Sequence, residues 1–478
     1  MLGASLPELP VLRRFQVFVF LWCCATLLHQ LYQGRVLLLD ATAPLTFAAL
    51  FAVVRPGSIA RFTLLIAIQL ATVVVELPRV SNHWLLMGVT CIGLLIVLLP
   101  ALRAQRRGED VAPFCEAALG PVRVQIIVVY FWATFQKLNT GFFDPELSCG
   151  VEHYTQLAAS LGFLPLGEWT RLPAIVGTLA LEAALPLLLA FGSTRWAALV
   201  LGWGFHGVLG WNGYWDFSSA GAAFYAACLP LWVILGFDRA RESHSWLAAL
   251  TAGVARLGRG PWLFPVAAVT LAASLGLGTL EGGVRPETIL TLNRAGRMIW
   301  AVLWIALGAS LALSLLAGRS QRTQEAEPRS GWWRRPALWI APVLVFGNGC
   351  SPYLGLKSEH SFAMFSNLRT EGDHWNHLLV PRGLRVFGYA DEVVQLRRSS
   401  DPYLENLARH GFGLVPLELR SHVEQRPESS VTYQRGDRIV QAPRAADDPF
   451  LMTPVHPLAR KLILFRPVPP RGGNACLH

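Results

Sequence analysis

The chain has 478 residues, 53% of them hydrophobic and only 15% charged, whereas soluble globular proteins carry roughly 25% charged residues. With a positive mean hydropathy, that composition excludes an ordinary soluble domain and points to a lipid bilayer. The net charge of +10 would suit a nucleic-acid partner, but the basic residues collect in loops between apolar runs, which argues against one.

A membrane-crossing helix needs about 20 predominantly apolar residues. Eleven runs approach or reach that length: 14–33, 36–54, 61–77, 83–102, 121–138, 172–191, 195–215, 218–236, 262–280, 298–317 and 337–350. The first lacks a small-residue cleavage site and reads as a retained helix rather than a signal peptide. Arg13/Arg14, Arg55/Arg61, Arg103/Arg106/Arg107, Arg239/Arg241/Arg256/Arg259 and Arg319/Arg322/Arg329/Arg334/Arg335 fall on alternate loops, which predicts a cytoplasmic N-terminus. An odd number of crossings then places the tail outside. The short runs 61–77 and 337–350 carry this orientation, since losing either would flip everything after it.

Residues 1–317 therefore read as a transmembrane bundle, with an external re-entrant or amphipathic stretch at 139–171. A charged cytoplasmic linker follows at 318–335, then a last crossing at 336–350. From 351 to 478 charges rise, with β-rich runs at 377–387, 429–440 and 461–468 and a helix-like segment at 402–418. The expected class is a membrane all-α polytopic bundle of about 9–11 transmembrane helices with a small α+β extracytoplasmic C-terminal domain.

The eight cysteines show no CxxC or zinc spacing. Cys23, Cys24, Cys91 and Cys228 fall within apolar runs and read as packing residues. Cys149, Cys350 and Cys476 fall outside, where disulfides form, and Cys149 with Cys350 is a candidate bridge. His374-x-x-His377 lacks a third ligand at suitable spacing, so no metal is expected. Walker, Rossmann and HExxH patterns and internal repeats are absent from the sequence.

Ionisable residues inside a membrane are functional candidates by default. Lys137 closes an apolar stretch in YFWATFQKLNTGFF, 130–143, where Tyr130, Thr134 and Lys137 share one helical face and Gly141 reads as the stop. The plainer reading is a lysine snorkelling to the headgroups. Asn82 and His83 open the fourth run, as a cap and an interface histidine or as site residues. Glu182 and His206 lie nearer the middles of adjacent runs, where they would neutralise one another or belong to the site. WNGYWDF, 211–217, contains Trp215 and reads as an interfacial aromatic belt.

These residues resemble a known family. YFWATFQKL, 130–138, is similar to the helix of vitamin K-dependent gamma-glutamyl carboxylase that carries its catalytic lysine, and to the bacterial horizontally transferred transmembrane (HTTM) group. The similarity runs over about 80–237, through SNHWLL at 81–86, TLALEAALPLLLAFGSTRW at 178–196 and FHGVLGWNGYWDFS at 205–218. SPYLGLKSEHSFAMFSNLRTEG faintly resembles the carboxylase segment after the last crossings, and looks more like bacterial HTTM tails. The carboxylase has a larger lumenal region than this tail.

The resemblance implies Lys137 as a catalytic base with His83 as its hydrogen-bond partner. Asn82, Tyr130, Thr134, Glu182, His206 and Trp215 would line the quinol site. A lysine is a base only when neutral, and a dry site disfavours its charged form. The implied reaction is a lyase-type one, in which a reduced quinone (vitamin K hydroquinone or menaquinol-like), O2 and CO2 serve to carboxylate a glutamyl side chain. The implied partners are membrane lipid or quinone and a peptide or protein substrate on the outer face. The implied location is a bacterial inner membrane. The alternative is a non-catalytic HTTM membrane protein that binds or moves a lipid or peptide.

Overall fold

The computed structural model describes residues 9–34, 42–243, 245, 286–322, 331–470 and 476. The run expected at 262–280 lies outside these residues, as do parts of the linker. The chain is mostly helical, with a small antiparallel sheet near its C-terminus. Six described helices are long and apolar enough to cross a membrane: α1 (Leu9–Tyr32), α3 (Ile59–Glu76), α4 (Asn82–Arg106), α5 (Ala112–Phe135), α8 (Glu168–Ala190) and α12 (Pro286–Gly318). A seventh crossing results if α9 (Arg195–Leu209), α10 (Trp215–Ala227) and α11 (Leu231–Ser243), bent by 102°, form one span. Two expected crossings are shorter helices, α2 (Ala43–Val53) and α13 (Ile340–Cys350).

The expected break between 215 and 218 is absent. Helix α9 runs into α10 through a wide turn, Gly210–Tyr214, where Gly213 takes φ 105° that other residues avoid. The bend comes later, at Leu229–Pro230, because proline cannot donate to the ladder and disfavours helix before it.

The chain divides into two compact units. The first comprises Met1–Val75, Leu86–Val128 and Ala184–Leu344. At its helix break, Arg14 donates to Leu229 O (3.1 Å) and Arg123 Nε to Ala227 O (2.6 Å), filling carbonyls that a helix end leaves orphaned. Glu116 pairs with both arginines. Arg14, read from sequence as a loop cation, is instead fully buried in α1. Its charge is compensated, which permits that burial. Helices α11 and α12 cross closely because Gly236 faces Ser314 O, where a side chain would sit only 2.0 Å away.

The second unit comprises Glu76–Leu85, Val129–Ala183 and Val345–His478. It holds the one-turn α6 (Thr140–Phe143), α7 (Cys149–Leu161) and the tail. The tail's sheet has order β2-β1-β3-β4, all antiparallel: β1 (Val394–Ser399), β2 (Gly413–Leu414), β3 (Val431–Arg435) and β4 (Arg438–Ala442). Helices α14 (Pro402–Arg409) and α15 (Pro416–Val423) bring Leu404, Leu407, Leu419 and Val423 into one core with Val394, Leu396, Val431 and Tyr433 of the sheet.

Several sequence expectations for the tail are corrected. The helix expected at 402–418 is two helices, because Gly411 (φ 71°) ends the first and β2 intervenes. The run 429–440 is a hairpin, β3–β4, turning on Gly436 at φ 57°. No strand forms at 377–387, which contributes one bridge from His377 to Asn139 and a 3-10 turn at Arg382–Leu384. The run 461–468 ends α16 (Pro457–Leu462) and gives one bridge at Val468. The disulfide joins Cys149 to Cys476, with Cα atoms 5.2 Å apart, and Cys350 is free.

Candidate functional site

Helix α5 ends at Phe135, so Lys137 stands just past it rather than on its last turn. A tight turn follows, with Lys137 N donating to Thr134 O (3.1 Å) and Leu138 N to Phe135 O (3.1 Å). Asn139 then starts α6 by accepting the Phe142 N–H at 2.9 Å. Gly141, expected as a stop, lies inside that turn. The polar stripe of Tyr130, Thr134 and Lys137 is therefore broken where the helix ends.

Lys137 is 2% exposed, which excludes snorkelling. Its Nζ donates to Ala133 O (3.3 Å), Met364 O (3.2 Å) and Glu182 Oε1 (3.1 Å). Glu182 Oε2 is nearer, at 2.8 Å, yet accepts no aligned hydrogen bond. We take the contact as one ion pair in which Oε1 has the direction and Oε2 the proximity. Three acceptors match the three N–H groups of an ammonium. The Phe142 ring, 5.7 Å from Nζ, adds a second electron-rich wall.

His83 is not among the acceptors of Lys137. It is buried, and its Nε2 lies 3.2 Å from Ser81 Oγ. A carboxylate offsets a buried ammonium better than a neutral imidazole, so Glu182 occupies the position that the resemblance gave to His83. Asn82, expected as a helix cap, accepts instead the N–H of Phe362 in the tail, at 2.8 Å.

That contact belongs to a segment which sequence reasoning missed. In 360–367, four non-glycine residues adopt left-handed backbone: His360 (φ 52°), Phe362 (φ 63°), Phe365 (φ 52°) and Asn367 (φ 54°). Such conformations cost on the order of 1–3 kcal/mol each and persist only where surroundings over-determine them. Here side chains capture the segment's carbonyls in succession. Asn348 takes His360 O (2.8 Å), Gln136 takes Ser361 O (3.1 Å), Lys137 takes Met364 O and Asn139 takes Ser366 O (2.6 Å). Asn376 takes Asn367 O at 2.9 Å. Lys137 thus helps hold a strained loop that in turn closes over it.

Beside this loop the tail buries a cluster of ionisable groups. Burial raises the Glu359 and Glu418 carboxyls from their ordinary 4.5 to about 7, against the opposing pull of Arg466 on the first and of the Phe465 N–H on the second. Burial likewise lowers Lys357 to about 8 and His360 to about 3.

The remaining expected site residues have other surroundings. Tyr130 is buried, and the Thr134 hydroxyl is buried without a hydrogen-bond partner among the described residues. His206 belongs to the first unit, packed against Phe217 and Tyr225, with its ring against Gly221, where a Cβ would lie 2.6 Å from it. The pairing of Glu182 with His206 is thus replaced by the Lys137–Glu182 pair. Trp215 is also in the first unit and fully buried against Leu28, Trp300 and Trp304, so it belongs to a core rather than an interfacial belt.

No family model, curated protein or solved structure matches this chain.

Proposed function

We propose that this chain is an integral membrane enzyme that removes the hydroxyl proton of a lipid-soluble hydroquinone, with Lys137 and Glu182 as the working couple. The supporting observation is the buried ion pair, in which Glu182 Oε2 lies 2.8 Å from Nζ and carries no aligned hydrogen bond. Passing one proton from Nζ to this oxygen converts two buried charges into a neutral amine and a neutral acid. The amine then has the lone pair a base requires.

A reduced quinone fits this donor set: the hydroxyl needs an acceptor, and the Thr134 hydroxyl, buried and unpartnered among the described residues, offers a second polar contact. The reduced quinone, vitamin K hydroquinone or menaquinol-like, would supply the electrons taken by O2, and that oxidation would serve to remove a carbon-bound proton from a glutamyl side chain of a peptide or protein at the outer face, whose place CO2 would take. The chain's own part is to orient the amine through Ala133 O and Met364 O, to exchange the proton with Glu182 and to exclude water.

This reading carries a location in a bacterial inner membrane with the N-terminus cytoplasmic and the tail outside, which requires an odd number of crossings. The Cys149–Cys476 disulfide supports the outside placement, since such bonds persist in oxidising compartments.

A second reading draws on the filled acceptor set of Lys137: a structural pin in a non-catalytic protein that binds or moves a lipid or peptide. Purified protein in micelles, given a menaquinol-type hydroquinone and oxygen and assayed for quinone epoxide, separates the two. The enzyme reading expects product from the native chain and none from Lys137→Arg, which retains the ion pair but holds its proton. A Lys137→Arg variant as active as the native chain overturns it.

A further inference from the structure

The segment 378–387 exposes an unusual density of large apolar side chains for a stretch outside every membrane-length helix: Leu378, Leu379, Leu384, Val386 and Phe387. Val386 is 73% exposed and Leu379 65%. Contiguous exposed apolar surface on a folded protein marks an interaction site.

Both ends of this segment hang on the ends of apolar helices within the same compact unit. At one end, His377 Nε2 lies 3.0 Å from Phe135 O and Leu378 N donates to Leu138 O at 2.9 Å, where α5 terminates. At the other, Val386 N and Phe387 N both donate to Leu354 O (3.1 and 2.9 Å), four residues past the end of α13. Packed aromatic rings link the first junction to the exposed face of the two helices, with Trp132 and His377 buried beneath it. Exposed Phe131 of α5 and Phe346 of α13 stack 6.5 Å apart, Phe346 meets Trp132, Trp132 meets Phe135, and Phe135 meets His377.

We propose that residues 378–387 form an interfacial membrane anchor, inserting Leu378, Leu379, Leu384, Val386 and Phe387 into the acyl–headgroup boundary beside α5 and α13. The inference rests on the chain spanning a membrane, not on the quinol reading. A segment strung from the end of membrane-length α5 to the chain just past the shorter apolar α13 is held at the depth where amphipathic stretches seat. Its cations are already engaged: Arg382 pairs with Asp373 at 2.6 Å, and Arg385 donates to the carbonyls of Thr370 and Gly372. Insertion is therefore apolar and independent of anionic headgroups. Its consequence is to pin the chain that follows the strained loop, which Arg385 bonds at Thr370 and Gly372, to the membrane surface.

The test uses the full chain with Cys350→Ser, reconstituted in phosphatidylcholine vesicles and labelled with an environment-sensitive fluorophore at Val386→Cys or, as control, Ile439→Cys. Ile439 is 63% exposed on β4, so it reports the tail's solvent face. The anchor expects a blue-shifted probe at 386, quenched several-fold more by doxyl lipid than by aqueous iodide, with the reverse at 439. Adding phosphatidylglycerol should leave the 386 signal unchanged. Iodide quenching at 386 equal to that at 439 overturns the proposal. So does shielding from both quenchers, which would mean a protein partner or a second copy covers the segment. A strong dependence on phosphatidylglycerol overturns the apolar mode.

Discussion

Removing one member of the Lys137–Glu182 pair should destabilise the second unit far more than removing both. Glu182→Met leaves the ammonium with only Ala133 O and Met364 O, two neutral acceptors at 3.3 and 3.2 Å. Breaking a buried pair in this way costs about 3–5 kcal/mol, because the surviving charge stays desolvated. Lys137→Met strands the Glu182 carboxylate, 8% exposed as a side chain, at a similar cost. The double variant removes both desolvation penalties and leaves two apolar chains of comparable volume. With about 3–5 kcal/mol for each single variant and less than either for the double, the expected coupling is therefore at least about 3 kcal/mol, at or above the upper end for residues in contact. Equilibrium unfolding of the four proteins in one detergent measures the cycle. Single-variant effects that add to the double within about 0.5 kcal/mol would refute the pair as drawn here.

Two further outcomes follow from the tail. Between pH 4.5 and about 7 the folded state holds protons on Glu359 and Glu418 that the unfolded chain has released. Their contribution to stability therefore falls as pH rises through that interval. Glu359→Gln and Glu418→Gln should each raise the thermal midpoint relative to the native chain more at pH 8 than at pH 5, and an equal difference at both pH values would contradict the burial argument. Proteolysis under non-reducing conditions should yield a disulfide-linked peptide pair containing Cys149 and Cys476, with Cys350 open to alkylation without reductant; a peptide linking Cys149 to Cys350 would refute the pairing.

Composition and hydropathy made the apolar helices legible, because a crossing announces itself in about 20 consecutive residues. They could not show that α9, α10 and α11 are jointed at Leu229–Pro230 rather than at 216–217, since both places are flanked by apolar runs. In the tail, β1 escaped notice because its VQLRRS carries two adjacent arginines that interrupt alternation. The false strands at 377–387 and 461–468 have the right residue types, but their backbone groups pair singly with scattered residues such as Leu138, Leu354 and Gly413, or within local turns, rather than along a neighbouring strand. Lys137 stood out as a lone charge after an apolar stretch. Glu182 stood out too, but its pairing with Lys137 did not, because it lies 45 residues away, and Met364 lies 227 away. The left-handed positions in 360–367 had little sequence signal, since Phe362 and Phe365 are bulky residues that local preference keeps out of that region.

The wide separation of Lys137 from Met364 also sets an order in time. At about 5–20 residues per second, the ribosome needs roughly 10–45 s to make the chain between them. During that interval Glu182 is already synthesised, but the loop that completes the amine's surroundings is not. The second unit is drawn from three stretches, the last beginning at Val345. Any chaperone or insertion factor acting on the nascent bundle therefore handles a Lys137 that is paired but not yet enclosed. The amine's third acceptor, Met364 O, is supplied only once the tail has arrived, so the buried pair is completed late in synthesis.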